Sequence, residues 1–425
     1  MVASTDIKFY VHTNNNAPQL QNAYGSMINV LDACLVNGIN IGTISSLTAS
    51  GSTVTALFSS AHNLMQYQVI KITGANQREF NGEHRILTVQ NAQSVTFELA
   101  VAPSTTTATG TITASLPSLG WEKPFSSSNP TGGGKAAYRS KNTLLLSRPF
   151  LRVVDELDLV WNAAYAKYAK VGLVEDMTSI DTLIGVQAPF DTSSPSKNWS
   201  GTGAGTGAYN GWAKWYYAYA DGTGGNGFSE SNNADHSVPA AGNREYYIIG
   251  NSDTFIVAVK PSIAAATRFV VYAAGTFESV FDVDVNATFL ASTLQYTNAN
   301  STGTANVRAA RQGLTDNQNS NLICLLGPIT GEKYNTYATA TTNLLSTTGN
   351  ANIIESFVTL GFSQHSDVFL KDERCIRGKI PFINWVYQAT PYENKSFVYD
   401  KGKIYLALNL ETRLRETGQV LVQVG

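Results

Sequence analysis

Charge is what this sequence has least of. Of its 425 residues, 14% are Asp, Glu, Lys or Arg, against about 25% in ordinary soluble proteins. The 29 basic and 31 acidic residues leave a net charge of −2, which supplies no field for gripping DNA, RNA or anionic lipid and excludes nucleic-acid binding as the main role. Cysteine is equally scarce. Cys34, Cys324 and Cys375 are odd in number and far apart, which excludes a disulfide framework and any metal-ligand spacing. They read as small buried apolar residues in a chain made in a reducing cytoplasm. Long apolar runs are missing too: 255–259 and 269–274 are among the longest, far below the ~20 residues of a spanning helix, so no membrane insertion is expected. The first residues show no basic start followed by an apolar stretch, so no secretory signal is expected. The Asn-x-Ser/Thr triplets at Asn198, Asn286, Asn300 and Asn394 are then chance matches.

Signatures of catalysis are also sparse. His12, His62, His84, His236 and His365 form neither HxH nor HxxxH, and no Gly-x-Ser-x-Gly elbow or Cys–His signature occurs. A triad assembled across the sequence stays open. The glycine run 201–207 follows no apolar strand and opens no helix, so it fails the dinucleotide context. Thr131-Gly-Gly-Gly-Lys135 lacks the spacing and the hydroxyl of a phosphate loop. Both read as flexible surface loops. Asp282, Asp284 and Asn286 alternate along a strand-like stretch, which puts their oxygens about 6–7 Å apart on one face. They are a weak cation candidate, set against the ordinary reading of a solvated strand face, since the glycine and distal Glu of a calcium loop are missing. Asp155, Glu156 and Asp158 read as surface carboxylates paired with Lys or Arg. No catalytic residue, cofactor or metal is assigned.

What is present is β-forming. Runs rich in Val, Ile, Phe, Tyr and Thr recur between Gly, Asn, Ser and Thr, among them 8–11, 54–58, 69–72, 86–89, 95–99, 151–154, 245–249, 254–259, 268–273, 404–408 and 419–424. The expected fold is mainly β: a multi-domain, sandwich- or barrel-like body with few short helices and an inserted small β-domain. One helix is expected at 26–37, where Met27, Val30, Leu31, Cys34 and Leu35 share a face, with Ser26 as cap and Gly38 as stop. A second is expected at 286–295. The inserted module is placed at 42–116, bracketed by Gly42-Thr-Ile44 and Gly110-Thr-Ile112, with Asn81-Gly82 as a tight hairpin turn. The body comprises 1–41 and 117–425. Residues 191–243, rich in Gly and aromatics, read as a long loop or arm. Its Trp212, Trp215, Tyr216, Tyr217 and Tyr219 need a home, either in this chain's own body or on a neighbouring subunit. The second option makes them candidate intersubunit contacts.

Ile72-Thr-Gly-Ala-Asn-Gln-Arg-Glu-Phe-Asn-Gly82, followed by Ile86-Leu-Thr-Val89 and Val95-Thr-Phe-Glu98, resembles a small β-module recurring in virion proteins of tailed bacteriophages. The pieces 30–36, 120–125, 151–155, 246–250 and 377–381 resemble phage structural proteins in the same order, while the Gly- and aromatic-rich insertion departs from the pattern. The resemblance implies a non-enzymatic particle component, made in the host cytoplasm and found in the virion. Its partners would be copies of itself and other virion proteins, with no specific nucleic acid. A neck, collar, tail or baseplate position comes first, capsid decoration second, and a glycan-binding or depolymerising tail protein is the alternative of another class. No catalytic residue carries over.

Overall fold

The computed structural model describes residues 3–205, 208, 210–220, 238–264, 269–281, 287–294, 322–325, 336–341, 365–371, 376–388, 390–411 and 417–425. In chain order the strands are β1 (Lys8–Val11), β2 (Ile39–Ser50), β3 (Thr53–Phe58), β4 (Val69–Ala75), β5 (Gly82–Asn91), β6 (Ser94–Glu98), β7 (Gly110–Leu116), β8 (Trp121–Ser128) and β9 (Gly133–Ser140). There follow β10 (Phe150–Glu156), β11 (Lys167–Ser179), β12 (Thr182–Ala188), β13 (Ala213–Ala218), β14 (Tyr246–Gly250), β15 (Thr254–Val259), β16 (Val270–Thr276), β17 (Glu278–Ser279), β18 (Thr288–Ala291) and β19 (Thr293–Leu294). The last are β20 (Leu322–Leu325), β21 (Thr336–Thr341), β22 (His365–Lys371), β23 (Ile376–Val386), β24 (Phe397–Asp400), β25 (Lys403–Glu411) and β26 (Thr417–Gln423). The protein is mainly β, as its composition leads one to expect.

Strands β2, β3, β6, β5, β4 and β7 close into a barrel, with β7 pairing back onto β2. The two Gly-Thr-Ile brackets lie side by side in it, Thr43 opposite Thr113 and Ile44 opposite Ile112. Val54, Ala56 and Phe58 of β3 point inward, the period of two of a half-buried strand. Gly74 has φ +87°, and a Cβ there would lie 2.0 Å from the Thr111 carbonyl oxygen, so β4 and β7 approach this closely only with glycine. Asn81-Gly82 does not form the expected two-residue turn. A 3₁₀ turn at Arg78–Phe80 joins β4 to β5, because the Asn81 side chain accepts from the Ala75 N–H (3.0 Å) and donates to its carbonyl (2.7 Å), tying down a longer connection.

The body has two sheets. The larger runs β1-β14-β15-β16-β18-β20-β21-β22-β23-β26-β25-β24, with β17 on β23; the smaller runs β19-β13-β11-β10-β9-β8, with β12 on β11. One face of β14–β16 packs on the smaller sheet, bringing Val257, Tyr272 and Ala274 against Val153, Trp215 and Tyr217. The other face packs on the far half of its own sheet: Ile249, Ile256 and Val271 meet Ile383, Leu406 and Val422. The large sheet therefore folds back over itself, and its central strands are apolar on both faces.

α1 (Ser26–Leu31) continues as a π-helical segment, Asp32–Asn37, and stops at Gly38, φ +77°. Its expected apolar face is buried. Ser26 is not the cap: Gly25 holds that position, and the Ser26 hydroxyl donates to the Ala23 carbonyl at 2.6 Å. The second expected helix is replaced by β18 and β19. Phe289 and Leu290 enter opposite cores, so their adjacency reflects a strand buried on both faces rather than a helical stripe.

Candidate functional site

The densest polar organisation of the described chain lies on the two faces of the smaller sheet. Alternation along β10 sends Leu151, Val153 and Asp155 inward and Phe150, Arg152 and Val154 outward. In β13 the same alternation sends Trp215 and Tyr217 in and Tyr216 out.

On the inner face, Asp155 is fully buried. Its Oδ2 accepts the Met27 N–H at 3.0 Å and the Ile28 N–H at 3.4 Å, and its Oδ1 accepts the Tyr217 hydroxyl at 2.6 Å. The carboxylate thus supplies from another strand the cap that Ser26 does not. Burial pushes the Asp155 carboxyl up to about 6, and the Tyr217 hydroxyl and the helix amides pull against that rise. Burial and the adjacent carboxylate push the Tyr217 hydroxyl well above the usual tyrosine range. Tyr138, from β9, donates to Asp32 Oδ1 at 2.8 Å and fastens the helix from its other side.

The outer face carries cations under aromatic cover. Lys170 lies opposite Lys214 and Arg152 opposite Gly172. Lys170, 3% exposed, donates to Asp158 Oδ2 at 3.0 Å and to the Trp199 carbonyl at 2.7 Å. Burial lowers its pKa, and Asp158 opposes that shift. Arg152 donates to Asp181 at 2.7 Å and to the Ile180 carbonyl at 2.8 Å, with its guanidinium 4.5 Å from the Trp199 ring centroid. Lys214 Nζ lies 4.3 Å from the Tyr168 ring centroid, 5.8 Å from Trp161 and 5.9 Å from Tyr216, a cation–π cage. Gly172 makes room for this cover: a Cβ there would lie 2.7 Å from the Trp199 ring.

Several expectations change here. Trp212, Trp215, Tyr216, Tyr217 and Tyr219 are 6%, 0%, 2%, 0% and 4% exposed, and β13 runs between β11 and β19. Their home is this chain's own core, so they have no surface to offer a neighbouring subunit, and 191–243 is not one long loop. Trp215 Nε1 donates to the Ala291 carbonyl at 2.9 Å, and its ring stacks on Tyr272. Asp155 is a buried structural group rather than a surface carboxylate; Asp158 pairs with a lysine as expected, at 3.0 Å from Lys170, and Glu156 lies 4.0 Å from Lys135. Lys135 itself lies in β9 rather than in a loop and donates to Asp181 at 2.8 Å. Cys34 is buried. Asp282, Asp284, Asn286, Cys375 and His236 lie outside the described residues. No group of His, Cys, Asp and Glu that could hold a metal ion occurs among the described residues.

Sequence reasoning missed Arg152, Lys170 and Lys214. The available signal was a charge embedded in an otherwise apolar run, as in Leu151-Arg-Val-Val154 and Tyr168-Ala-Lys-Val171. A narrow cleft, partly open to solvent, lies between the sheets, lined by Trp121, Leu145, Arg148, Asp253, Thr276 and Thr288 among others. Its charges are tied down: Arg148 donates to the Ser140 carbonyl at 3.2 Å and Asp253 accepts from Asn142 at 3.0 Å. The organised charges thus hold α1, the chain at Trp199 and the turn at Ile180 and Asp181 in place. Comparison with known proteins finds no family model and no curated protein that matches this chain.

Proposed function

We propose that this chain is a non-enzymatic structural component of a tailed-phage virion, in the neck, collar, tail or baseplate, assembling with copies of itself and other virion proteins through symmetric interfaces. The observation that carries the reading is the barrel. The segments bearing the phage-module resemblance, 72–82, 86–89 and 95–98, fall on the consecutive, mutually paired strands β4, β5 and β6 and the turn that joins the first two. The pattern thus belongs to one folded unit rather than to scattered matches. Low surface charge supports association between copies, since little repulsion opposes it. With the β13 aromatics buried, contacts between copies fall to other apolar side chains. Leu144 and Leu146, 88% and 82% exposed on the loop before β10, are the first assigned.

Immunogold electron microscopy of purified particles tests the reading. Label at one vertex or along the tail is the expected result. Even label over the head would make the chain a decoration protein. Absence of label on both intact and disrupted particles would remove the structural role and reopen the glycan-directed alternative.

A further inference from the structure

The barrel does not stand off from the body, and the contact between them is centred on one residue. Arg85, on β5, is 4% exposed. Its Nε donates to the Ser4 carbonyl at 2.6 Å and its Nη2 to the Ile7 carbonyl at 2.9 Å. Its Nη1 donates to the Tyr67 carbonyl at 2.8 Å and also to the carbonyl of Val424. Among the described residues no side-chain carboxylate lies within ion-pair distance of it; Asp6 acts on it through space. Burial lowers the guanidinium to about 10, against the opposing pull of Asp6.

A buried cation held only by main-chain carbonyls is a demanding arrangement. Desolvation is offset only while every carbonyl is in place. Here they come from three places: the segment before β1, the residue after β26, and the β3–β4 connection of the barrel itself. We infer that Arg85 is a clasp that fixes the barrel on the body, and that it closes only when Ser4, Ile7 and Val424 have all been positioned.

Closure leaves the barrel no free edge, and its inward side chains, Leu47, Val54, Ile72, Ile86 and Phe97 among them, are buried in an apolar cluster that continues into the body. The junction carries apolar and polar contacts besides: Tyr67 packs edge-on against Phe397 and Tyr399, Gln68 donates to the Phe9 carbonyl at 3.0 Å and accepts from Asn14 at 3.0 Å, and Asn16 donates to the Asn40 carbonyl at 2.8 Å. A lysine at 85 would keep the charge but lacks the planar fork that reaches separate carbonyls.

The test is hydrogen exchange by mass spectrometry on the full chain carrying Arg85→Lys, Arg85→Met or, as control, Lys71→Ala on the exposed face of β4. Both Arg85 variants should speed exchange about tenfold or more in the docking peptides 3–16 and 60–68, while the barrel peptides 69–75 and 94–98 keep their protection and the control changes neither. Unchanged exchange at 3–16 and 60–68 in both variants would remove the clasp. Rescue by lysine alone would make the role one of charge rather than of the fork. Loss of protection throughout the barrel would show that Arg85 holds the barrel's own fold and would overturn its role as a clasp between barrel and body.

Discussion

Asp155 is the residue at which burial and charge compete most directly. A carboxyl raised from 3.8 to about 6 holds its proton more tightly in the folded than in the unfolded chain. Its contribution to stability is therefore fully present below about pH 4 and is lost as pH rises through about 6, and the shift amounts to about 3 kcal/mol. Asp155→Asn removes that titration. Its stability relative to the parent should improve by about 3 kcal/mol between pH 4 and pH 7 in urea unfolding, whatever the offset from the altered hydrogen bonds. Lys170 and Asp158 form a buried pair of the opposite kind, where each charge answers the other. Lys170→Met alone should cost about 3–5 kcal/mol, and Lys170→Met with Asp158→Asn should recover much of it, measured as a double-mutant cycle. The pairing of Asp155 was not legible in the sequence, because it meets α1 and Tyr217 across long stretches of chain; for Asp158 a basic partner was expected, but not which one. What was legible was a charged residue inside an apolar run, without its partner.

At the scale of elements, alternation was a readable signal, while helical spacing was right at 26–37 and misleading at 286–295. β1 and β15 occur where the runs of β-branched and aromatic residues end. β18 was mistaken for a helix because a strand buried on both faces has no polar side to betray its period. β13 was mistaken for an arm for the same reason: its flanks are rich in glycine, and all six of its residues are buried. Trp215→Ala therefore tests packing. It should lower stability by about 3–5 kcal/mol through the cavity it leaves, seen as a fall in the melting temperature of the isolated protein rather than as a selective loss of assembly. The barrel has its own sensitive point at Gly74. Alanine there must adopt a positive φ and press on the Thr111 carbonyl, so Gly74→Ala should destabilise the barrel by at least about 1 kcal/mol, read as faster exchange in 69–75 and 110–116.

For the whole molecule, the large sheet folding back on itself and the smaller sheet packed on its near half consume most of the apolar side chains. Those left outside, Leu144, Leu146 and Leu159 among them, set the expectation for association. Leu144→Ser with Leu146→Ser should shift sedimentation toward the monomer, each buried leucine contributing up to about 1.5–3 kcal/mol to a contact. Unchanged sedimentation would move the contact to another face. With so few charges, self-association should depend weakly on salt over the physiological range, since screening has little to act on.

The sequence by itself determined the material of this protein: β-rich, of nearly zero net charge, with a short helix at 26–37 and a module set between two similar brackets. These follow from propensity and period, which act over a few residues. Only the tertiary structure decided which aromatics are core, which carboxylate caps α1, and that Arg85 joins the barrel to Ser4, Ile7 and Val424. Those outcomes depend on contacts between residues far apart in the chain, and burial, which sets the cost of every unpaired charge, exists only once the sheets have closed over one another.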